Sequence, residues 1–138
     1  MSYVPEKLKR QVEERAKKRC EYCQTQMLVI IVLQVEHIRP SSKGGETTLE
    51  NLCLSCSICN NSKKAFLTGI DPKTDQESRL FNPRIDFWEE HFAWIEDGLK
   101  IEGRTAIGRA TVQRLNMNRE DVLDSRRVWV AAGWHPPK

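Results

Sequence analysis

No apolar run long enough to cross a bilayer is present in this chain. The longest covers only residues 27–33, against the roughly 20 that a membrane helix needs. Residues 1–19 likewise hold no apolar stretch of the length a secretory leader requires, so a cytoplasmic protein with no membrane association is expected. Net charge is small at +3, and a surface for phosphate therefore has to come from local clustering rather than from overall charge. Internal repeats and low-complexity tracts are absent, and 138 residues leave no room for two large domains. With 30% charged and 39% hydrophobic residues, the chain has the makeup of a folded, water-soluble protein and not of a disordered one.

What the chain does have is concentrated locally. Lys7, Lys9, Arg10, Arg15, Lys17, Lys18 and Arg19 crowd the N-terminal segment against only Glu13 and Glu14. This reads equally as a solvated helix face and as a phosphate-contacting one. Leu8, Val12 and Ala16 recur every four residues, so a helix over residues 5–18 is expected, started by Ser2 or Val4 with Pro5 in its first turn.

Cysteine is the next signal. Cys20 and Cys23, then Cys56 and Cys59, make two C-x-x-C pairs. In a reducing compartment such pairs point to a metal, and four thiolates suit tetrahedral Zn2+ with no open position, which makes the site structural. A redox pair and four ordinary buried thiols are the competing readings. Cys53 is left over and reads as a small hydrophobe in a strand.

Between the pairs, Val29, Ile30, Ile31, Val32 and Val35 make residues 27–35 a strand that delivers Glu36 and His37 at its end and is stopped by Pro40. Residues 41–48 read as a loop turned by Gly44 and Gly45. A second strand is expected over residues 51–54 and a helix over 57–67, with Asn60 and Lys63 on one helical face. Strand, loop, strand, helix is a ββα unit. The stretch VEHIRPSSKGGETTLENLCLSCSICNNSK combines H-I-x-P-x-S-x-G-G from His37, N-L at Asn51 and C-x-x-C-N-x-x-K from Cys56, with the other C-x-x-C upstream. Together these motifs resemble the HNH endonucleases of the ββα-metal superfamily, in their four-cysteine zinc subtype. Asparagine stands at position 60 where many members carry histidine, as it does in others. Glutamate stands at 36 where aspartate is more familiar, and its extra methylene displaces the carboxylate by about an ångström.

The resemblance implies an α+β fold: a ββα-metal core with a zinc knuckle over residues 1–69, the zinc of Cys20, Cys23, Cys56 and Cys59 fastening the knuckle to the end of that core. It implies phosphodiester hydrolysis in DNA, double-stranded first, with RNA open, leaving 5'-phosphate and 3'-hydroxyl ends. Catalytic weight then falls on Glu36, His37, Asn51 and Asn60. An imidazole is mostly neutral at pH 7, so His37 suits a general base. Glu36 and Asn60 offer the oxygen donors that favour Mg2+ or Mn2+ over zinc. Asn51, by the resemblance, braces the loop that holds His37. Arg39 and Lys63 read equally as phosphate contacts and as surface charges. The alternative function is a zinc-stabilised nucleic-acid binding or interaction module without catalysis.

Residues 70–138 are expected to form a C-terminal extension. A linker over 70–84 leads to a hairpin between residues 91–96 and 99–103, turned at Asp97 and Gly98. A helix capped by Thr105 and running to about Met117, then another capped by Asn118 and closed by Gly133, complete it. Trp88, Trp94, Trp129 and Trp134 are assigned to a small second core, with His91 in the hairpin packing. FNPRIDFWEEHFAW, TAIGRATVQRLNMNR and RRVWVAAGWHPP resemble the region after the HNH motif in bacterial, notably cyanobacterial, HNH endonuclease-like proteins.

Overall fold

The computed structural model describes residues 3–27 and 32–137. Helix α1 (Glu6–Arg15) opens the chain, followed by strand β1 (Gln34–His37), strand β2 (Leu52–Ser55) and helix α2 (Ser57–Lys63). Strands β3 (Thr68–Asp71) and β4 (Gln76–Arg79) lead to a short helix α3 (Trp88–His91), strands β5 (Phe92–Ile95) and β6 (Lys100–Gly103), and helices α4 (Ala106–Arg114) and α5 (Glu120–Ala131). The strands pair consecutively into three antiparallel two-stranded sheets, β1 with β2, β3 with β4 and β5 with β6. Helices and small sheets are thus mixed along the whole chain. Among the described residues no helix is long and apolar enough to cross a membrane.

Several elements depart from the sequence reading, each for a physical reason. Helix α1 is capped by Pro5 and stops at Arg15, because Lys17 and Lys18 adopt positive φ (56° and 55°) and turn the chain into the knuckle. Ser2 and residues 28–31 of the expected first strand lie outside the described residues. Helix α2 ends at Lys63, where Lys64 takes φ 51° and ψ −132°. Most of the expected linker over residues 70–84 is strand and turn: residues 70–79 complete the β3–β4 hairpin. That hairpin is specified by polar contacts that leave no apolar periodicity. The Asp71 carboxylate accepts from Lys73 N (2.9 Å) and Thr74 Oγ1 (3.2 Å) in the turn and from Arg109 Nε and Nη2 (2.8 Å each) on α4. The guanidinium holds the Asp71 carboxyl well below the usual carboxylate range. Asn118 does not cap α5, whose N-cap is Arg119. Its amide instead pairs with the Ile101 backbone, accepting from N (2.9 Å) and donating to O (2.8 Å).

Elsewhere local signals and structure agree. Glu96, Asp97 and Gly98 turn the β5–β6 hairpin with positive φ (52°, 58° and 90°), and Thr105 Oγ1 accepts from Gly108 N at 3.0 Å to cap α4.

The buried core is one connected cluster from Val4 to Met117. Tyr22, 2% exposed, meets Phe81 edge-on at 6.4 Å, and Phe81 meets Phe92 at 5.1 Å. Burying such rings together supplies most of the non-directional stabilisation. Polar contacts fix the register: Trp88 Nε1 donates to Tyr22 O (2.7 Å), and Arg84 forms an ion pair with Glu21. The C-terminal half therefore packs directly on the N-terminal knuckle.

Candidate active site and metal centre

Cys20 and Cys23 sit on a tight turn whose backbone is tied to β2, Glu21 N donating to Leu54 O at 2.9 Å and Leu54 N to the Glu21 carboxylate at 2.9 Å. Cys56 caps α2, its Sγ accepting from Cys59 N at 3.4 Å, and Cys20 Sγ accepts from Cys23 N at 3.5 Å in the matching turn. These two N–H···S turns bring four buried thiols together, with all four Sγ atoms within 4.8 Å of one another and Cys23 and Cys56 at 3.6 Å. A tetrahedral ion with Zn–S bonds of about 2.3 Å needs sulfurs about 3.8 Å apart. The donor set and spacing fit zinc with no ligand position left open. Cys53 is separate: it lies on β2 opposite Glu36, its thiol 3.7 Å from Tyr22 Oη, and burial pushes it up to about 12.

The second site forms where β1 ends. Pairing with β2 sets Glu36 opposite Cys53 and His37 opposite Leu52. Asn60 Nδ2 on α2 donates to Glu36 Oε1 at 3.0 Å. Glu36, His37, Asn60, Ser41, Ser42 and Lys64 share the wall of an open cleft of ≈ 290 Å³. Burial pushes the Glu36 carboxyl up from its ordinary value, opposed by the Lys63 charge and the Asn60 hydrogen bond. A carboxylate raised in this way gains from any cation placed beside it.

Asn51 closes the loop between the strands with three hydrogen bonds: Oδ1 accepts from Arg39 N (2.9 Å), and Nδ2 donates to Arg39 O (3.0 Å) and Glu46 O (2.8 Å). Gly45 fits inside this brace, where a Cβ would stand 1.7 Å from Arg39 O and 2.8 Å from Asn51 Nδ2. The glycine is required by that close approach.

Residues 20–66 match the family model for HNH endonuclease. This segment is similar to HNH endonuclease domains. No curated protein and no solved structure shows a match to the chain. The HNH segment contains all four clustered cysteines together with Glu36, His37, Asn51 and Asn60.

The remaining sequence candidates separate. Arg39 is exposed, its Nη1 donating to Lys43 O at 3.2 Å. Lys63 is no surface charge: it is 6% exposed, and its ammonium donates to Ile38 O at 2.9 Å. Its neighbour Lys64 is the exposed lysine of the cleft. Arg15, from the basic N-terminal segment, is committed to structure, donating to Leu49 O (2.8 Å) and Leu52 O (2.7 Å). One residue of the site went unread in the sequence. Thr47 Oγ1 shares a 2.9 Å hydrogen bond with His37 Nε2. A threonine in a polar loop carries no signal of its own, and only closure of the loop by Asn51 brings it to the imidazole.

Proposed function

We propose that the chain is a metal-dependent HNH endonuclease that hydrolyses phosphodiester bonds in DNA, with β1, β2 and α2 as its ββα-metal unit. Residues 1–69 carry the chemistry and residues 70–138 buttress it. The observation that supports this reading most strongly is the convergence of Glu36, His37 and Asn60 on one open cleft beside a braced loop. His37 is the general base. Its Nε2 shares a hydrogen bond with Thr47 Oγ1 that orients the ring, and in the tautomer with the proton on Nε2 the Nδ1 lone pair takes the proton from the attacking water. Asn51 holds the loop, and thereby Thr47, in register. Glu36 and the Asn60 amide oxygen are the donors for one divalent ion, an oxygen set that suits Mg2+ or Mn2+. When bound, that ion would supply charge relief at the phosphate and leaving oxygens. Lys64, exposed on the cleft wall, and the exposed Arg39 are the side chains we assign to contacts with substrate phosphates.

Conversion of supercoiled plasmid to nicked or linear product by the zinc-loaded protein tests the reading. Activity is expected on adding Mg2+ or Mn2+, absent without added divalent ion, and lost in Glu36→Gln. Binding without cleavage across several DNA and RNA substrates would sink it in favour of a binding module. Cleavage of RNA alone would reassign the substrate.

Thr47 gives a finer prediction. Thr47→Val keeps the β-branched shape but removes the hydroxyl, so kcat is expected to fall about tenfold, the equivalent of one lost hydrogen bond of about 1.4 kcal/mol. Thr47→Ser should restore most of the rate. A purely packing role for Thr47 would reverse that order, and single-turnover cleavage rates decide it.

A further inference from the structure

Arg126 on α5 is the largest side chain wholly removed from solvent, at 0% exposure. Its Nη1 donates to Leu99 O and Asn118 Oδ1 (3.0 Å each) and its Nη2 to Met117 O (2.8 Å), while the buried Nε has no partner. The Trp94 ring lies 5.4 Å from its Cζ. All of these acceptors are neutral. Among the described residues no carboxylate pairs with it: Asp121, on the same helix, is exposed and held by Arg119 Nε and Nη2 at 2.6 and 2.7 Å. A guanidinium does not escape burial by shedding its proton, so a buried arginine without a counter-charge is a costly arrangement.

One cavity connects Arg126 with the cysteine cluster. Arg126 shares the wall of a ≈ 270 Å³ pocket with Cys23, Cys56 and Cys59, and with Asp121, whose carboxylate is already engaged by Arg119. Burial lowers the guanidinium from its ordinary value, and negative charge at the cysteine cluster would oppose that lowering. A divalent ion held by four thiolates leaves two negative charges uncompensated. We propose that the loaded four-cysteine centre is the counter-ion of Arg126, so that metal binding in the knuckle and docking of α5 stabilise each other. The C-terminal helix is then an outer part of the metal centre as well as a support for the core. This inference rests on the metal centre alone and stands whether or not the chain cuts nucleic acid.

The test is zinc affinity of the full chain, read by competition with a chromophoric chelator in the absence of nucleic acid. Arg126→Met and Arg126→Gln remove the charge, one apolar and one polar, and Arg126→Lys keeps it. Both neutral variants are expected to bind zinc about tenfold or more weakly, the range seen when partners of metal ligands are lost, with the lysine variant close to wild type. If the neutral variants fold only poorly with zinc while the lysine variant folds, the charge requirement is supported in the same way. Unchanged affinity in the neutral variants overturns the proposal. So does an equal loss in all three, or failure of all three to fold, since shape rather than charge would then be what α5 supplies.

Discussion

Replacing His37 by alanine is expected to reduce metal-dependent cleavage by roughly 10²–10⁴-fold, the usual contribution of a positioned general base. The fold should survive. His37 ends β1, and its backbone pairing with Leu52 does not depend on the imidazole. The ring bonds to Thr47, on a loop that Asn51 closes independently with three bonds to backbone groups. Zinc content and the far-ultraviolet circular dichroism should therefore match the wild type. The measurement is the single-turnover rate on supercoiled DNA at saturating Mg2+ or Mn2+, with both proteins purified in parallel. Equal rates would assign the activity to a contaminant or to another part of the surface. A loss in which the substrate concentration for half-maximal rate rises but the limiting rate holds would make His37 a binding group and not a base.

Two kinds of information decided what could be read in advance. The paired cysteines, and Glu36 and His37 ahead of Asn51 and Asn60, are local patterns of residue type, and the turns that place them are built from those same residues: Cys56 is both a prospective ligand and the cap of α2. Thr105 and Asp97–Gly98 were legible for the same reason, since a cap and a hairpin turn act within a few residues. What stayed hidden depends on groups brought together by the fold. The β3–β4 hairpin has charged, partly exposed strands and is fixed by Arg109 reaching Asp71 from α4. Asn118 looked like a helix cap because asparagine caps helices, yet the Ile101 backbone competes for it and wins. Lys63 read equally as a phosphate contact and as a surface charge, since lysine is seldom buried, but its side chain is buried and Ile38 O receives its ammonium. Gly45 and Arg126 follow the same logic: the clearance around one and the isolation of the other exist only after packing.

The largest effect on stability is expected at Cys56. Serine is a good N-cap, so Cys56→Ser retains an acceptor for the Cys59 backbone while removing a thiolate from the cluster. The change isolates the metal from the helix. Structural zinc in small domains contributes about 10–16 kcal/mol of apparent binding free energy at neutral pH, comparable to or above the roughly 5–15 kcal/mol that holds a whole domain folded. Losing one of four ligands should therefore unfold the knuckle, release β2 from Glu21, and take the cleft between β1 and α2 with it. Cys53→Ser is the matched control. It lies three residues away on β2, fully buried at 1% exposure but outside the cluster, so it should keep zinc and lose only about 1–3 kcal/mol from placing a hydroxyl in an apolar site. Zinc per chain by elemental analysis and thermal melting of both variants provide the comparison. Stoichiometric zinc in Cys56→Ser would remove that residue from the ligand set. Loss of zinc with an unchanged melt would mean that the core around Tyr22, Phe81 and Phe92 holds the fold without the metal.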